Sequence, residues 1–268
     1  MYLMIAKALL LRVAYSILSR PLLAVVAGVF RFARLSCHNG SAVWRMRSPV
    51  KITHLIYDFD GLLLDTEPIY CRVNEIIAAR YGKTFTRSHH RMIMGRQAIE
   101  CAEILVQELN LPLSAEAHLA ARNELIFDML PKAKPMPGAV DMTRRFYELG
   151  VGQAIATSSA EVTFNLKTKH HHEWLQIFDA IVLGDDPDVK RSKPAPDSFL
   201  TAARRLDVDP GNCLVFEDSP AGAIAAKGAG MSVVAVPASY MDWALYEMAD
   251  EIVADLKVFD AQRWGLPD

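Results

Sequence analysis

The chain has 268 residues, 51% of them apolar and 22% charged, enough for one substantial core beside a smaller accessory domain and not the composition of a disordered chain. The formal net charge of -2 hides an asymmetry: residues 1–50 hold seven Lys/Arg and no Asp or Glu, leaving 22 basic against 31 acidic residues in 51–268. Such an acidic body argues against nucleic acid as a partner, since a phosphate backbone is bound by clustered Lys and Arg. Cys37, Cys71, Cys101 and Cys213 form no CxxC pair and no zinc-like spacing, so neither disulfides nor zinc is expected and a reducing compartment is the natural reading.

Residues 1–50 are a basic, apolar leader whose longest uninterrupted apolar run is about ten residues, short of the roughly 20 that span a bilayer. Three readings stay open: an organelle-targeting segment, a membrane-surface helix, or a start of translation at Met46. The expected location is the cytoplasm, with an organelle as the alternative, and membrane contact arises only if residues 1–45 are retained.

From residue 52 an apolar run of strand type ends on Asp58, with a glycine at Gly61. Residues 68–133 then read as helices, with apolar spacing of three and four over 74–81, 98–109 and 115–130 and breaks at Gly82, Gly95, Pro112 and Pro131. Next come helix 139–149, strand 151–156 closing on Thr157-Ser158-Ser159, strand 180–183, helix 197–206 after Lys193-Pro194, strand 213–216 ending on Glu217-Asp218, helix 220–229 and strand 232–236. Strands alternating with helices predict an α/β fold, a doubly wound parallel sheet covered on both faces. The block at 68–133 is predicted to be an inserted helical cap, so the core is discontinuous, 51–67 and 134–268.

In such sheets the carboxyl ends of the strands converge on the ligand. Those ends carry Asp58 and Asp60, Thr157 and Ser158, Lys193, and Glu217 with Asp218. These types suit phosphoryl transfer: carboxylates hold a hard cation, a lysine and a hydroxyl neutralise phosphate oxygens, and one carboxylate is left to attack. Asp58 and Asp60, two apart at a strand end, can divide the work of nucleophile and of general acid/base. Other features read more plainly. His170-His171-His172 point about 100° apart on a helix and cannot share one ion. Asp185, Asp186 and Asp188 read as a solvated turn, Ile99, Ile104 and Leu105 as cap core, and Arg96 equally as a surface arginine and as a substrate-reading group.

Asp58-Phe59-Asp60-Gly61, Ala156-Thr157-Ser158-Ser159, Lys193-Pro194-Ala195-Pro196-Asp197 and Phe216-Glu217-Asp218-Ser219-Pro220-Ala221-Gly222 resemble, in order and spacing, the four motifs of haloacid dehalogenase-like hydrolases, in the phosphoglucomutase-like branch with a helical cap. The resemblance implies a Rossmann-like core, Asp58 as nucleophile and Asp60 as acid/base. It implies phosphate binding by the Thr157 hydroxyl, the Ser158 N–H and Lys193, and Mg2+ held by Asp58, the Asp60 carbonyl and Asp218, with Glu217 direct or through water. Met94-Gly95-Arg96, Met136-Pro137-Gly138, Leu166-Lys167-Thr168, Gly184-Asp185-Asp186-Pro187 and Trp264-Gly265-Leu266-Pro267 are similar to the pseudouridine-5'-phosphatases and related glycerol-3-phosphatases. The expectation is a monomeric phosphatase of a small phosphorylated metabolite, pseudouridine 5'-phosphate first and glycerol 3-phosphate second. Cap residues near Arg96 would select the substrate. A mutase of this branch would carry a His where this chain has Tyr70; a non-catalytic sugar-phosphate sensor is the alternative outside catalysis.

Overall fold

The computed structural model describes residues 51–268; the leader lies outside the described residues. After β1 (His54–Tyr57) come a ribbon strand β2 (Leu64–Asp65) and four helices, α1 (Glu67–Arg80), α2 (Arg87–Ile93), α3 (Ala98–Glu108) and α4 (Ala115–Ile126). The chain returns through β3 (Lys134–Pro135), antiparallel to β2, so the segments leaving for and returning from the helical insert are hydrogen-bonded to each other. It then alternates through α5 (Ala139–Glu148), β4 (Gly152–Ala156), α6 (Glu161–Thr168), α7 (His172–Leu175), β5 (Ala180–Val182), α8 (Asp197–Arg205), β6 (Cys213–Glu217), α9 (Pro220–Gly228), β7 (Ser232–Ala235) and β8 (Glu251–Ile252).

Side chains of β1 alternate between two cores: Leu55 and Tyr57 enter one cluster and Ile56 the other. A strand buried on both faces belongs in the middle of a covered parallel sheet. The six-stranded sheet has the order β5-β4-β1-β6-β7-β8, with Tyr57 opposite Ile155 on one side and Phe216 on the other. The chain winds outward from β1 to β4 and β5, then crosses back to β6, so the strand order reverses beside β1. Met142 and Phe146 of α5 cover one face, Phe199 of α8 and Ala223 of α9 the other. Each fully buried Phe or Leu of this kind contributes about 1.5–3 kcal/mol.

The insert has apolar clusters of its own, one around Phe85, Ile93, Leu105 and Leu109, the other around Val73, Ile77, Ile126 and Leu130. Four details depart from the sequence pattern. Helix α1 starts at Glu67, because Pro68 fits a first turn, where its missing N–H costs nothing. Helix α2 lacks an apolar period and is held by its end, where the Thr86 N–H donates to His89 Nδ1 at 3.0 Å. Helix α4 stops at Ile126, and a two-residue edge strand, β8, closes the sheet.

Candidate active site

Asp58 is the first residue beyond β1, still held by the sheet through its N–H to Phe216 O at 3.0 Å, and 5% exposed. Lys193, from the segment between β5 and α8, spends its three ammonium protons on Asp58 Oδ1 at 2.5 Å, Glu217 Oε1 at 2.6 Å and Ala156 O at 3.1 Å. Asp58 Oδ2 receives no hydrogen bond from the described residues. Glu217 ends β6, and its second oxygen accepts from Ser219 N at 2.8 Å and Ser219 Oγ at 2.9 Å, so both its oxygens are engaged. Asp218 stands beside it, and its backbone carbonyl accepts from the Tyr246 hydroxyl at 2.5 Å. Gly61 turns the chain with φ +82°, and any Cβ there would strike the Asp218 carboxylate, so glycine is what brings the two loops together.

Two buried carboxylates, Asp58 and Glu217, thus contact one ammonium, and a third, Asp218, is buried beside Glu217 without reaching the ammonium. Burial pushes Asp58 up, Lys193 pulls it back, and Glu217 and Asp60 push it up again, leaving it at about 7. Asp218 is raised well above the usual carboxylate range by burial and by the charges of Glu217 and Asp58. Burial opposes the charge on Lys193, but Asp58 and Glu217 outweigh it and raise its pKa.

The Asp60 carboxylate turns the other way, toward α6. Oδ1 accepts from Thr66 Oγ1 at 2.8 Å and from Lys167 Nζ, and Oδ2 accepts from Ser159 Oγ at 2.8 Å and Thr157 Oγ1 at 3.3 Å. Burial would raise Asp60; the Lys167 charge and these bonds bring it below its ordinary value. Sequence reasoning assigned Lys167 no role, although a signal existed: with Phe164 and Thr168 it lies on the buried stripe of α6, where a lysine is out of place.

Between β4 and α6, Thr157 is buried, and its hydroxyl accepts from Ser159 N at 3.0 Å. Ser158 donates its hydroxyl to Gly95 O at 2.9 Å, joining core to insert. Gln97 Nε2 to Gly184 O at 2.6 Å and Ser192 Oγ to Glu100 Oε1 are further links. Gly95 has φ +72° and backs against Ser219, where a side chain would collide. Arg96 is exposed and reaches along its own segment, Nε to Met92 O at 3.1 Å and Nη1 3.9 Å from Glu100 Oε2. Tyr70 lies deeper, with Lys167 Nζ 5.7 Å and the Arg122 guanidinium 4.9 Å from its ring centroid.

The acidic loop is an exposed turn, as expected, with its carboxylates partnered from the chain. Asp185 accepts from Glu161 N at 3.0 Å at the start of α6, and Asp186 and Asp188 pair with Arg205 at 2.7 and 3.3 Å, because the loop packs beside α8. In the histidine run, His171 Nε2 meets Ala133 O at 3.1 Å, a packing role. Among the described residues no three His, Cys, Asp or Glu side chains are grouped to hold a metal, and no helix is long and apolar enough to cross a membrane.

A doubly wound parallel sheet with carboxylates, hydroxyls and a lysine gathered where its strand order reverses defines an α/β enzyme with its site at the switch point. Residues 55–236 match the haloacid dehalogenase-like hydrolases, and the chain belongs to that family. It is 46% identical over 221 residues to (DL)-glycerol-3-phosphatase 1, mitochondrial, of Arabidopsis thaliana, covering 81% of this chain and 74% of that protein. It is 39% identical over 220 residues to a probable pseudouridine-5'-phosphatase of Drosophila melanogaster, covering 81% and 95%. Among solved structures, CbbY from Rhodobacter sphaeroides in complex with phosphate superposes with a TM-score of 0.66 at 25% identity, covering 80% of this chain and 100% of that one. The chain is a hydrolase, and the phosphatases among its relatives make phosphate monoester hydrolysis its class of reaction.

Proposed function

We propose that this chain hydrolyses a small phosphate monoester through an aspartyl-phosphate formed on Asp58. The observation that carries the reading is the Asp58 carboxylate itself, buried, fixed by Lys193 through one oxygen and with the other free of hydrogen bonds from the described residues. Asp58 attacks phosphorus, and the ester oxygen leaves with the bonding pair and takes a proton from Asp60, which must enter this step protonated against the pull of Lys167 and is left as the carboxylate that accepts the four hydrogen bonds described above. Asp60 then removes a proton from water, whose oxygen attacks the same phosphorus; the bond to Asp58 breaks and inorganic phosphate departs. Lys193, the Thr157 hydroxyl and the Ser158 N–H meet the phosphate oxygens.

A divalent cation fits the donor set. Three carboxylates are buried within this one site, Asp58, Glu217 and Asp218, and Lys193 contacts only two of them; burial first and then their mutual repulsion raise Asp58 and Asp218, so a further positive charge would be welcome there. Mg2+ held by the Asp58 and Asp218 carboxylates and the Asp60 carbonyl would supply that charge and screen the phosphate during attack, a small carboxylate count of the kind magnesium accepts. Glu217, with both oxygens engaged, would act through water.

The helical insert, residues 68–133, serves as the cap, closing over the substrate and choosing its leaving group. Tyr70, between Lys167 and Arg122, is better placed for that choice than the exposed Arg96. Its position also disfavours a mutase, whose branch would carry a histidine there. Glycerol 3-phosphate moves ahead of pseudouridine 5'-phosphate as the first substrate to test, since the glycerol-3-phosphatase is the more similar relative. The enzyme is taken to act as a monomer in the cytoplasm, without nucleic acid. Phosphate release from both esters, with and without magnesium, tests the reading; negligible release from every ester offered rejects it.

A further inference from the structure

The buried lysine of α6 has no part in the chemistry above, yet it is the side chain most closely engaged with the Asp60 carboxylate. We propose that Lys167 is a positioning residue of this hydrolysis, which holds Asp60 for its proton transfers and ties that hold to the helical insert through Tyr70; the proposal rests on the phosphatase reading.

Lys167 is fully buried on a helix stripe that otherwise packs Phe164 and Thr168, where an apolar side chain would satisfy folding alone. Its ammonium meets Asp60 Oδ1, 107 positions earlier, and donates to Ser159 Oγ at 2.6 Å, while Ser159 Oγ donates to Asp60 Oδ2 at 2.8 Å. Lysine, serine and both carboxylate oxygens therefore form a closed ring of contacts, and the carboxylate cannot rotate without breaking it. Thr66 adds a further donor to Oδ1 at 2.8 Å. The remaining surroundings of the ammonium are aromatic, the Phe59 and Tyr70 rings, each centred 5.7 Å from Nζ. Phe59 separates the two aspartates, and Tyr70 belongs to α1, the first helix of the insert. One cation thus touches the proposed acid/base and the insert at once, while the phosphate-facing positions are supplied by Lys193, Thr157 and Ser158. Its role is in proton transfer, through Asp60, and not in phosphate binding.

The test is rapid-mix kinetics of Lys167→Met with para-nitrophenyl phosphate, whose leaving group departs without a proton. Formation of the aspartyl-phosphate then needs Asp58, whereas its hydrolysis still needs Asp60 as base. The expected result is a burst of about one nitrophenolate per enzyme, then a steady-state kcat lowered on the order of 100-fold with KM falling alongside it and kcat/KM nearly unchanged, because only the step after the aspartyl-phosphate is slowed. Lys167→Arg, which returns the cation, should recover part of the steady-state rate. Full steady-state rate in Lys167→Met, equal loss of burst and steady state, or a rise in KM with unchanged kcat would each overturn the proposal. Should Lys167→Met fail to fold, Ser159→Ala opens the same ring without burying or removing a charge; it should keep the burst and slow the steady state, and an unchanged steady state would overturn the proposal as well. Wild-type protein inactive on all esters would sink the phosphatase reading, whereas active wild type beside a fully active Lys167→Met would sink the role of Lys167 alone.

Discussion

Lys193 Nζ lies 2.5 Å from Asp58 Oδ1 with both side chains buried, so the proposed nucleophile is anchored by a cation from 135 positions further along the chain. Removing the cation leaves Asp58 and Glu217 facing each other unpaired. Lys193→Met should destabilise the chain by about 3–5 kcal/mol and abolish phosphate release. Adding Glu217→Gln should return part of the stability and none of the activity, as read by urea unfolding and a phosphate assay on the same samples.

Asp58→Asn should remove turnover without loosening the fold, because an amide cannot attack phosphorus but fills the same space. With a chelator present its melting temperature should equal or exceed that of wild type, since one of three crowded carboxylates is gone. Residual turnover near the wild-type rate would exclude Asp58 as nucleophile.

Magnesium should activate and calcium should bind but inhibit, because the larger ion's looser coordination spoils the geometry of attack. Activity should vanish on exhaustive chelation and return on adding magnesium. Full activity in chelator would contradict the oxygen-ligand metal site.

His90 of α2 is buried against Glu67 and Cys71. Burial disfavours its charge, but its hydrogen bond with Cys71 and its close ion pair with Glu67 outweigh that and raise it to about 10. A folded pKa above the unfolded value of 6.5 stabilises fully below pH 6.5 and is lost as pH rises toward 10. The stability gap between wild type and His90→Gln should therefore narrow steadily from pH 7 to pH 10 in denaturant titrations. A gap independent of pH would show that His90 is neutral in the folded state.

Arg96→Ala should leave the ratio of kcat/KM for glycerol 3-phosphate and pseudouridine 5'-phosphate within about threefold of wild type, since a rim contact of this kind is worth under about 1 kcal/mol. Arg122→Met, which strips one of the two cations from the Tyr70 ring, should shift the ratio further than Arg96→Ala does. The reverse order would return specificity to Arg96.

Much of this was legible in the residues because it is local. The apolar run ending on Asp58, the hydroxyls after residue 156 and the acids after Phe216 each mark the end of a strand, and strand alternation alone implies that such ends share one edge of a sheet. The parallel fold and the gathering of Asp58, Lys193, Glu217 and Asp218 follow from that periodicity. Helix α2 was not legible, because its residues have no apolar period and its start depends on the hydrogen bond between the Thr86 N–H and His89.

Side-chain direction was decided only by the tertiary structure. Asp58 and Asp60 look equivalent in sequence, yet one carboxylate meets Lys193 and the other Lys167, because Phe59 is driven into the core between them and packs against Phe164, whose helix brings Lys167. Arg96 reads in sequence equally as a surface arginine and as a substrate-reading group, and in the fold it reaches back to Met92 O at its own helix end. The physical reason is the same in each case: a pattern reports which face of an element is apolar, but the partner of a buried charge is chosen by which distant segment packs against it, and that choice exists only once the sheet and insert have closed together.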